Sequence, residues 1–267
     1  MTKRIVLTGG ATGIGAASAQ KLLAKNVDIT ILDLVEPKSS SARFVYCDMS
    51  NPASINEAVN KLPKEIDALV NVAGVSNTAP GEIIMGVNFL GLRHLSESLL
   101  PRIIAGGTIV NIASTAAFDW KNRRSIIDDV LHTTSFETGI NWLREHESEW
   151  TDNPYKFSKQ CTAAYTYRAV GKAIKNKVRI NCIHPGSTGT QLTADFKKLV
   201  GKELYDWGVE QVGRQGTPED IAEVIEFLTL GPCQWLNGVE IVVDGGFISG
   251  IVGGWIDPKS FPKAQAE

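Results

Sequence analysis

The chain has 267 residues, of which 27 are basic and 29 acidic, for a formal charge of −2. A chain of this length buries roughly three quarters of the surface its unfolded form exposes, so it needs neither disulfides nor a structural metal for stability. The near-neutral balance without a Lys/Arg run excludes a nucleic-acid partner, and no stretch approaches the ~18 apolar residues of a membrane span.

The first predicted strand, RIVLT (4–8), runs directly into Gly9-Gly10-Ala11-Thr12-Gly13-Ile14-Gly15 and then an Ala-rich helix, AASAQKLLAK. A glycine turn between strand and helix brings backbone N–H groups and the helix N-terminus against a pyrophosphate. Glycine is required where any Cβ would intrude, which makes Gly9, Thr12, Gly13, Ile14 and Gly15 candidate cofactor contacts. A nucleotide-triphosphatase loop would need Lys followed by Ser/Thr after the last glycine; Gly15-Ala16-Ala17 stands there instead. The opening MTKRIVLTGG has too short an apolar run for a signal peptide and lacks a small-residue cleavage site, so a cytoplasmic protein is expected.

The second strand, VDITILD (27–33), ends at Asp33, followed by Leu34. A carboxylate at that place can accept from both ribose hydroxyls of NAD and would repel the 2′-phosphate of NADP. No Lys or Arg in 9–15, or directly after Asp33, would offset that repulsion. The third strand, RFVYCD (43–48), ends at Asp48, followed by Met49, placed to meet an adenine edge, although Asp48 could equally cap the helix that begins near Asn51-Pro52. Further strands are IDALVNVAG (66–74), GTIVNIAS (107–114), KVRINCIHPG (177–186) and GVEIVVDGG (238–246). Most are continuous in Val, Ile and Leu rather than alternating, the mark of strands covered on both faces. The expectation is therefore an α/β fold: a Rossmann-like, doubly wound, seven-stranded parallel sheet with helices on both faces, in one domain.

One segment breaks the alternation. Between the strand ending at Ser114 and the helix carrying Tyr155, about residues 119–152, Ile126, Ile127, Val130, Leu131, Phe136, Ile140 and Leu143 recur at helical spacing. One or two amphipathic helices are expected there, separated by His132-Thr133-Thr134-Ser135. They read either as a stabilising surface excursion or as a lid or oligomer contact. Tyr155 and Lys159, in YKFSK, lie four residues apart and so share a helix face. A neighbouring ammonium favours a phenolate and brings a tyrosine towards working range, while Ser114 at a strand end can hold a substrate oxygen. Four cysteines (Cys47, Cys161, Cys182, Cys233) and four histidines show no metal-ligand spacing; even the close pair Cys182 and His184 sits in a strand end, and no metal site is expected.

Taken together, TGGATGIG (8–15), NVAG (71–74), VNFLG (87–91), the strand ending at Ser114, Tyr155-x-x-x-Lys159 and RINCIHPG (179–186) resemble, in order, the motifs of the short-chain dehydrogenase/reductase family. The resemblance implies hydride transfer between a nicotinamide and a carbinol or carbonyl carbon. It implies Tyr155 as acid/base, Lys159 on the nicotinamide ribose, Ser114 on the substrate oxygen, and Asn88 holding a water that links Lys159 to solvent. Pro185, Gly186, Thr188 and Thr190 would fix the carboxamide, and Asn71, Ala73 and Gly74 would line the middle of the cofactor. The insertion departs from the commoner pattern and is similar to that of a bacterial subset, the 3α-hydroxysteroid dehydrogenase/carbonyl reductases and coniferyl alcohol dehydrogenases. In the family the tyrosine helix and the Asn88 helix meet a second subunit, which implies a homo-oligomer, dimer or tetramer. Leu192, Phe196 and Trp207, in the segment that closes over substrate in this family, favour a hydrophobic alcohol or carbonyl partner, and Trp120 and Trp142 could extend that pocket. Two further classes keep the same fold: a non-redox NAD enzyme such as an epimerase or dehydratase, and a silent NAD sensor.

Overall fold

The computed structural model describes residues 2–260 apart from position 39. Seven strands, β1 (Arg4–Thr8), β2 (Asp28–Asp33), β3 (Arg43–Tyr46), β4 (Ile66–Asn71), β5 (Ile103–Ile112), β6 (Arg179–Pro185) and β7 (Glu240–Val243), form one parallel sheet in the order β3-β2-β1-β4-β5-β6-β7. The order reverses direction between β1 and β4, and ligands of such sheets bind outside the carboxyl ends of the strands at that switch point. β1 matches its expected run and β2, β3, β4, β6 and β7 fall inside theirs, whereas β5 begins four residues before Gly107, with an irregular register opposite Ile66 and Ala68.

Alternate side chains supply two cores. Val6, Leu32, Leu69, Ile109 and Ile180 face α2 (Pro52–Lys61), α4 (Leu92–Leu99) and α7 (Pro154–Ala173). Ile5, Leu7, Ile31, Val70, Val110 and Ile183 face α1 (Gly13–Leu23) and α10 (Pro218–Leu230). Burying each such side chain contributes ~1.5–3 kcal/mol, which explains the unbroken apolar runs. Between α3 (Gly81–Met85) and α4 the chain makes a π-turn over Gly86–Gly91. There a Cβ on Gly91 would lie 2.0 Å from the Met49 carbonyl oxygen, so only glycine lets this helix close on the loop after β3.

The insertion is two helices, α5 (Arg124–His132) and α6 (Phe136–Glu145), and the break between them falls at 133–135 as their spacing predicts. Ser135 caps α6 through a reciprocal pair with Thr138. Arg93, on α4 and buried, reaches across to the carbonyls of Val130, Thr133 and Ser135 and the Thr133 hydroxyl at 2.8–3.3 Å. α5 packs on α7 and α6 on the π-turn. Trp142 stacks between His146 and Phe157 in the core and Trp120 donates to Glu240, so neither extends a substrate pocket as the sequence suggested. Among the described residues no helix is long and apolar enough to cross a membrane.

Candidate active site

The glycine turn closes by contacts that no side chain could share. Gly9 has φ +73°, and a Cβ there would lie 2.6 Å from Ala73 Cα; one on Gly15 would lie 1.9 Å from the Gly9 carbonyl oxygen. Thr12 occupies the N-cap of α1 with extended backbone and no side-chain cap bond, so the unpaired N–H groups of the first turn stay available, with Ile14 among them. Gly13 (φ +54°) meets the Thr190 methyl across the cleft. Asp33 organises the turn: its Oδ2 accepts from Ala11 N at 2.9 Å and its Oδ1 from Val35 N at 3.2 Å, with Leu34 exposed between them. Asp48 accepts from Ser50 N and Oγ at 2.8 and 2.7 Å, whereas Asn51 caps α2. The alternative of Asp48 as that cap therefore fails, because Asn51 already fills the position, and Met49 is buried behind it.

Asn71 ends β4 beside the glycine turn, and its side chain is engaged in the interior. Its side chain points under the sheet, donating to Ser96 Oγ and Asn111 Oδ1 at 2.9 Å each. Asn111 continues to Thr166 on α7, so this amide pins strands to helices rather than facing the turn. Gly74 does face the reacting end, where an added Cβ would sit 3.2 Å from Asn88 Oδ1 and 3.5 Å from Lys159 Nζ. Asn88, fully buried in the π-turn, grips Val75 N and O at 2.8 and 3.0 Å and donates to Ser158 Oγ; its own carbonyl accepts from Thr162 Oγ1.

Helix α7 begins with Pro154 after Asn153, whose side chain accepts from Lys156 N, a conventional start. Asn77 accepts from Tyr155 N at 2.9 Å, so the loop after β4 sets where the helix starts. One turn later Lys159 is buried, its Nζ donating to the Ile112 carbonyl at 2.9 Å and standing 5.8 Å from the Tyr155 ring centre. That single bond leaves N–H donors of the ammonium unused. Ser114, just past the end of β5, touches the Tyr155 hydroxyl and accepts from Ala116 N.

The electrostatics of the pair differ from the sequence expectation. Burial pushes the Tyr155 phenol up to about 12, only partly opposed by its bond to Ser114. Burial also brings the Lys159 ammonium down to about 8. Desolvation decides the direction for the phenol, and the Phe196 ring of α8 (Thr193–Val200) meets Tyr155 edge-on with centres 5.0 Å apart. Asp195, beside Phe196, accepts from Ser76 Oγ and Thr78 Oγ1 at 2.7 and 3.2 Å and fastens α8 to the loop after β4.

Pro185 ends β6, and Gly186 rests on Asp244, where a Cβ would clash at 2.5 Å. Thr188 donates to the Gly186 carbonyl, and Thr190 Oγ1 accepts from Leu192 N. Trp207, on α9 (Lys202–Gln211), packs instead on Phe247 of α11 (Phe247–Gly253), 6.0 Å between ring centres. Asp195 and Asn77 escaped sequence reasoning because their partners lie far away in sequence.

The family model for short chain dehydrogenase matches residues 3–125, and that for enoyl-(acyl carrier protein) reductase matches 139–248. The chain belongs to the short-chain dehydrogenase/reductase family: it is an oxidoreductase of the alcohol dehydrogenase and carbonyl reductase kind. It is 33% identical to a coniferyl-alcohol dehydrogenase from a Pseudomonas species, over 92% of this chain and 97% of that one. A 3-alpha-hydroxysteroid dehydrogenase/carbonyl reductase from Comamonas testosteroni is 29% identical over 91% and 95%. Among solved structures, a 3-alpha-hydroxysteroid dehydrogenase from a Pseudomonas species, crystallised with NADH, superposes with a TM-score of 0.80 at 25% identity, covering 96% of this chain and all of that one.

Proposed function

We propose that this chain oxidises a hydrophobic alcohol, aromatic, terpenoid or steroid-like, to its aldehyde or ketone with NAD, or runs the reverse reduction. The observation that carries the reading is the meeting of Ser114, Tyr155 and Lys159 at one end of the sheet, beside a glycine cradle that a Cβ at Gly9 or Gly15 would fill. The residues present fit a dinucleotide. The cradle and the uncapped start of α1 suit a pyrophosphate, Asp33 suits two ribose hydroxyls, and Lys159 has donors to spare for the second ribose. When bound, NAD supplies the hydride acceptor.

In oxidation, Tyr155 as its phenolate takes the alcohol proton and Ser114 holds the alcohol oxygen by hydrogen bonding. In reduction, the phenol, held at about 12, is the proton donor. Lys159, at about 8, is still mostly cationic at neutral pH and offsets the negative charge that a phenolate would carry. Asn88 fixes the loop from Gly74 to Val75 beside that ammonium. Phe196 stands edge-on against the phenol as an apolar wall, which favours an apolar substrate. The likeness to a coniferyl-alcohol dehydrogenase supports an aromatic alcohol within that class. We place the chain as one domain with its helical insertion at about 119–152, working as a homo-oligomer. The relatives named are dehydrogenases and reductases, which disfavours the epimerase, dehydratase and sensor alternatives.

The test is NADH formation from NAD⁺ with coniferyl alcohol, a 3α-hydroxysteroid and a cyclic terpene alcohol, in the parent and in Tyr155→Phe. The variant should bind NAD normally and lose ~10²–10⁴-fold in kcat, as expected for removal of a general acid/base. Parent-like turnover in Tyr155→Phe would remove the phenol from the mechanism.

A further inference from the structure

We propose that His184 and Glu240 are positioning residues for Ser114, and that through Glu240 the insertion is tied to the reacting end of the sheet. His184 precedes the last residue of β6 and is 1% exposed. Its Nδ1 lies 2.8 Å from the Ser114 carbonyl oxygen, and its Nε2 lies 2.8 Å from Glu240 Oε2. A carbonyl only accepts. Glu240 in turn accepts from Tyr167 Oη at 2.7 Å and from Trp120 Nε1 at 3.2 and 3.3 Å. Indole N–H is a donor only, and donors converging on both oxygens of Glu240 suit its carboxylate form. With a carbonyl bonded at Nδ1 and a carboxylate oxygen 2.8 Å from Nε2, the surroundings favour a ring protonated on both nitrogens, an imidazolium ion-paired with Glu240.

Burial by itself would discharge both partners. Cys182 first, then Glu240, with help from the Ser114 carbonyl, instead hold the imidazole up to about 10, and His184, Tyr167 and Trp120 hold the carboxylate down to about 2. The other charged or titratable groups facing the pair are Cys182 on the same strand, Lys159 and Tyr167 on α7, and Lys121 over the Trp120 and Tyr167 rings. Four parts of the fold thus meet on one carboxylate: β6 through His184, β7 itself, α7 through Tyr167 and the insertion through Trp120. The strand ladder ends with Ala113 N donating to the Ile183 carbonyl. Beyond it the Ser114 carbonyl is held by His184 and by the local turn bond from Ala117 N. His184 is therefore the long-range tie that sets where the Ser114 hydroxyl points.

The inference rests on Ser114 holding the substrate oxygen, and the experiment separates the two. Asparagine places its amide nitrogen near the position of Nδ1, and glutamine near that of Nε2. His184→Asn can keep the tie to Ser114 and give up Glu240, whereas His184→Gln does the reverse. With NAD⁺ and coniferyl alcohol, His184→Gln should lose about tenfold or more in kcat, as for a lost buried hydrogen bond. Its KM for NAD should stay within about twofold of the parent value, and His184→Asn should keep severalfold more kcat than His184→Gln. A merely structural role would lower melting temperature in both variants without that order, and equal kcat in the two would overturn the proposal. Ser114→Ala with full turnover would overturn the reading of Ser114; Ser114→Ala inactive beside a fully active His184→Gln would overturn only the positioning pair. An arm independent of turnover is nitrogen-15 histidine spectra, with His184 assigned from its variants. Both ring nitrogens protonated at neutral pH support the pair, and a neutral ring refutes it.

Discussion

Phe196→Ala isolates what keeps the Tyr155 phenol protonated. The phenol is raised from an ordinary value of 10.0 to about 12, chiefly by burial, and two units correspond to ~2.7 kcal/mol against the phenolate. Phe196 is the aromatic ring set against it, 5.0 Å centre to centre. Removing that ring admits water on one side while the sheet side stays closed, so about half of the shift, roughly one unit, should disappear. The direction is downward, towards 10, and at pH 9 it makes roughly tenfold more phenolate. Ultraviolet difference titration reads phenolate directly. The chain has five tyrosines, so the Tyr155→Phe curve is subtracted, with and without the Phe196 change. Alcohol oxidation limited by proton transfer should shift to lower pH by the same amount, and KM for an apolar alcohol should rise. A Tyr155 pKa unchanged or higher in Phe196→Ala would refute burial by Phe196 as the cause.

Two further outcomes follow from other parts of the molecule. Arg93→Leu strands the carbonyls of Val130, Thr133 and Ser135 at ~1–3 kcal/mol each, partly offset by removing a buried charge. A net loss of ~3–5 kcal/mol lowers Tm by about 10 °C in a chain of this size; scanning calorimetry showing less than about 3 °C would mean that the insertion is held otherwise. Asp33→Ala should narrow the gap in kcat/KM between NAD and NADP by about tenfold or more, since it removes the charge that opposes a 2′-phosphate. An unchanged ratio would place cofactor choice elsewhere.

The sheet was legible because its central strands are buried on both faces, so they wrote themselves as runs such as VDITILD. The glycine turn was legible because close backbone contact leaves a compositional trace, seen at Gly9 and Gly15. The two inserted helices were legible from their spacing, but the packing of Trp142 was not, since an aromatic residue reads the same in a core or a pocket. The direction of the Asn71 side chain depends on Ser96 and Asn111, residues on other elements. The rise in the Tyr155 pKa was hidden for a like reason, because it comes from burial among residues distant in sequence, Phe196 of α8 among its neighbours. His184 and Glu240 carry no local signature at all, and their meaning comes from neighbours on four different elements.

The π-turn at Gly86–Gly91 gives the α3–α4 helix two rotational phases. Each residue of an α-helix turns ~100° about the axis, so the extra residue held in such a turn resets the azimuth of everything after it. Before the turn, the phase is set by the fit around Ile84 and Met85; after it, Arg93 must aim at the insertion and Ser96 at Asn71. A deletion of one residue within 86–91 would leave composition, length and helix propensity almost unchanged. It would nonetheless swing Arg93 and Ser96 away from their partners together, so this stretch should tolerate conservative substitutions far better than any change in residue count.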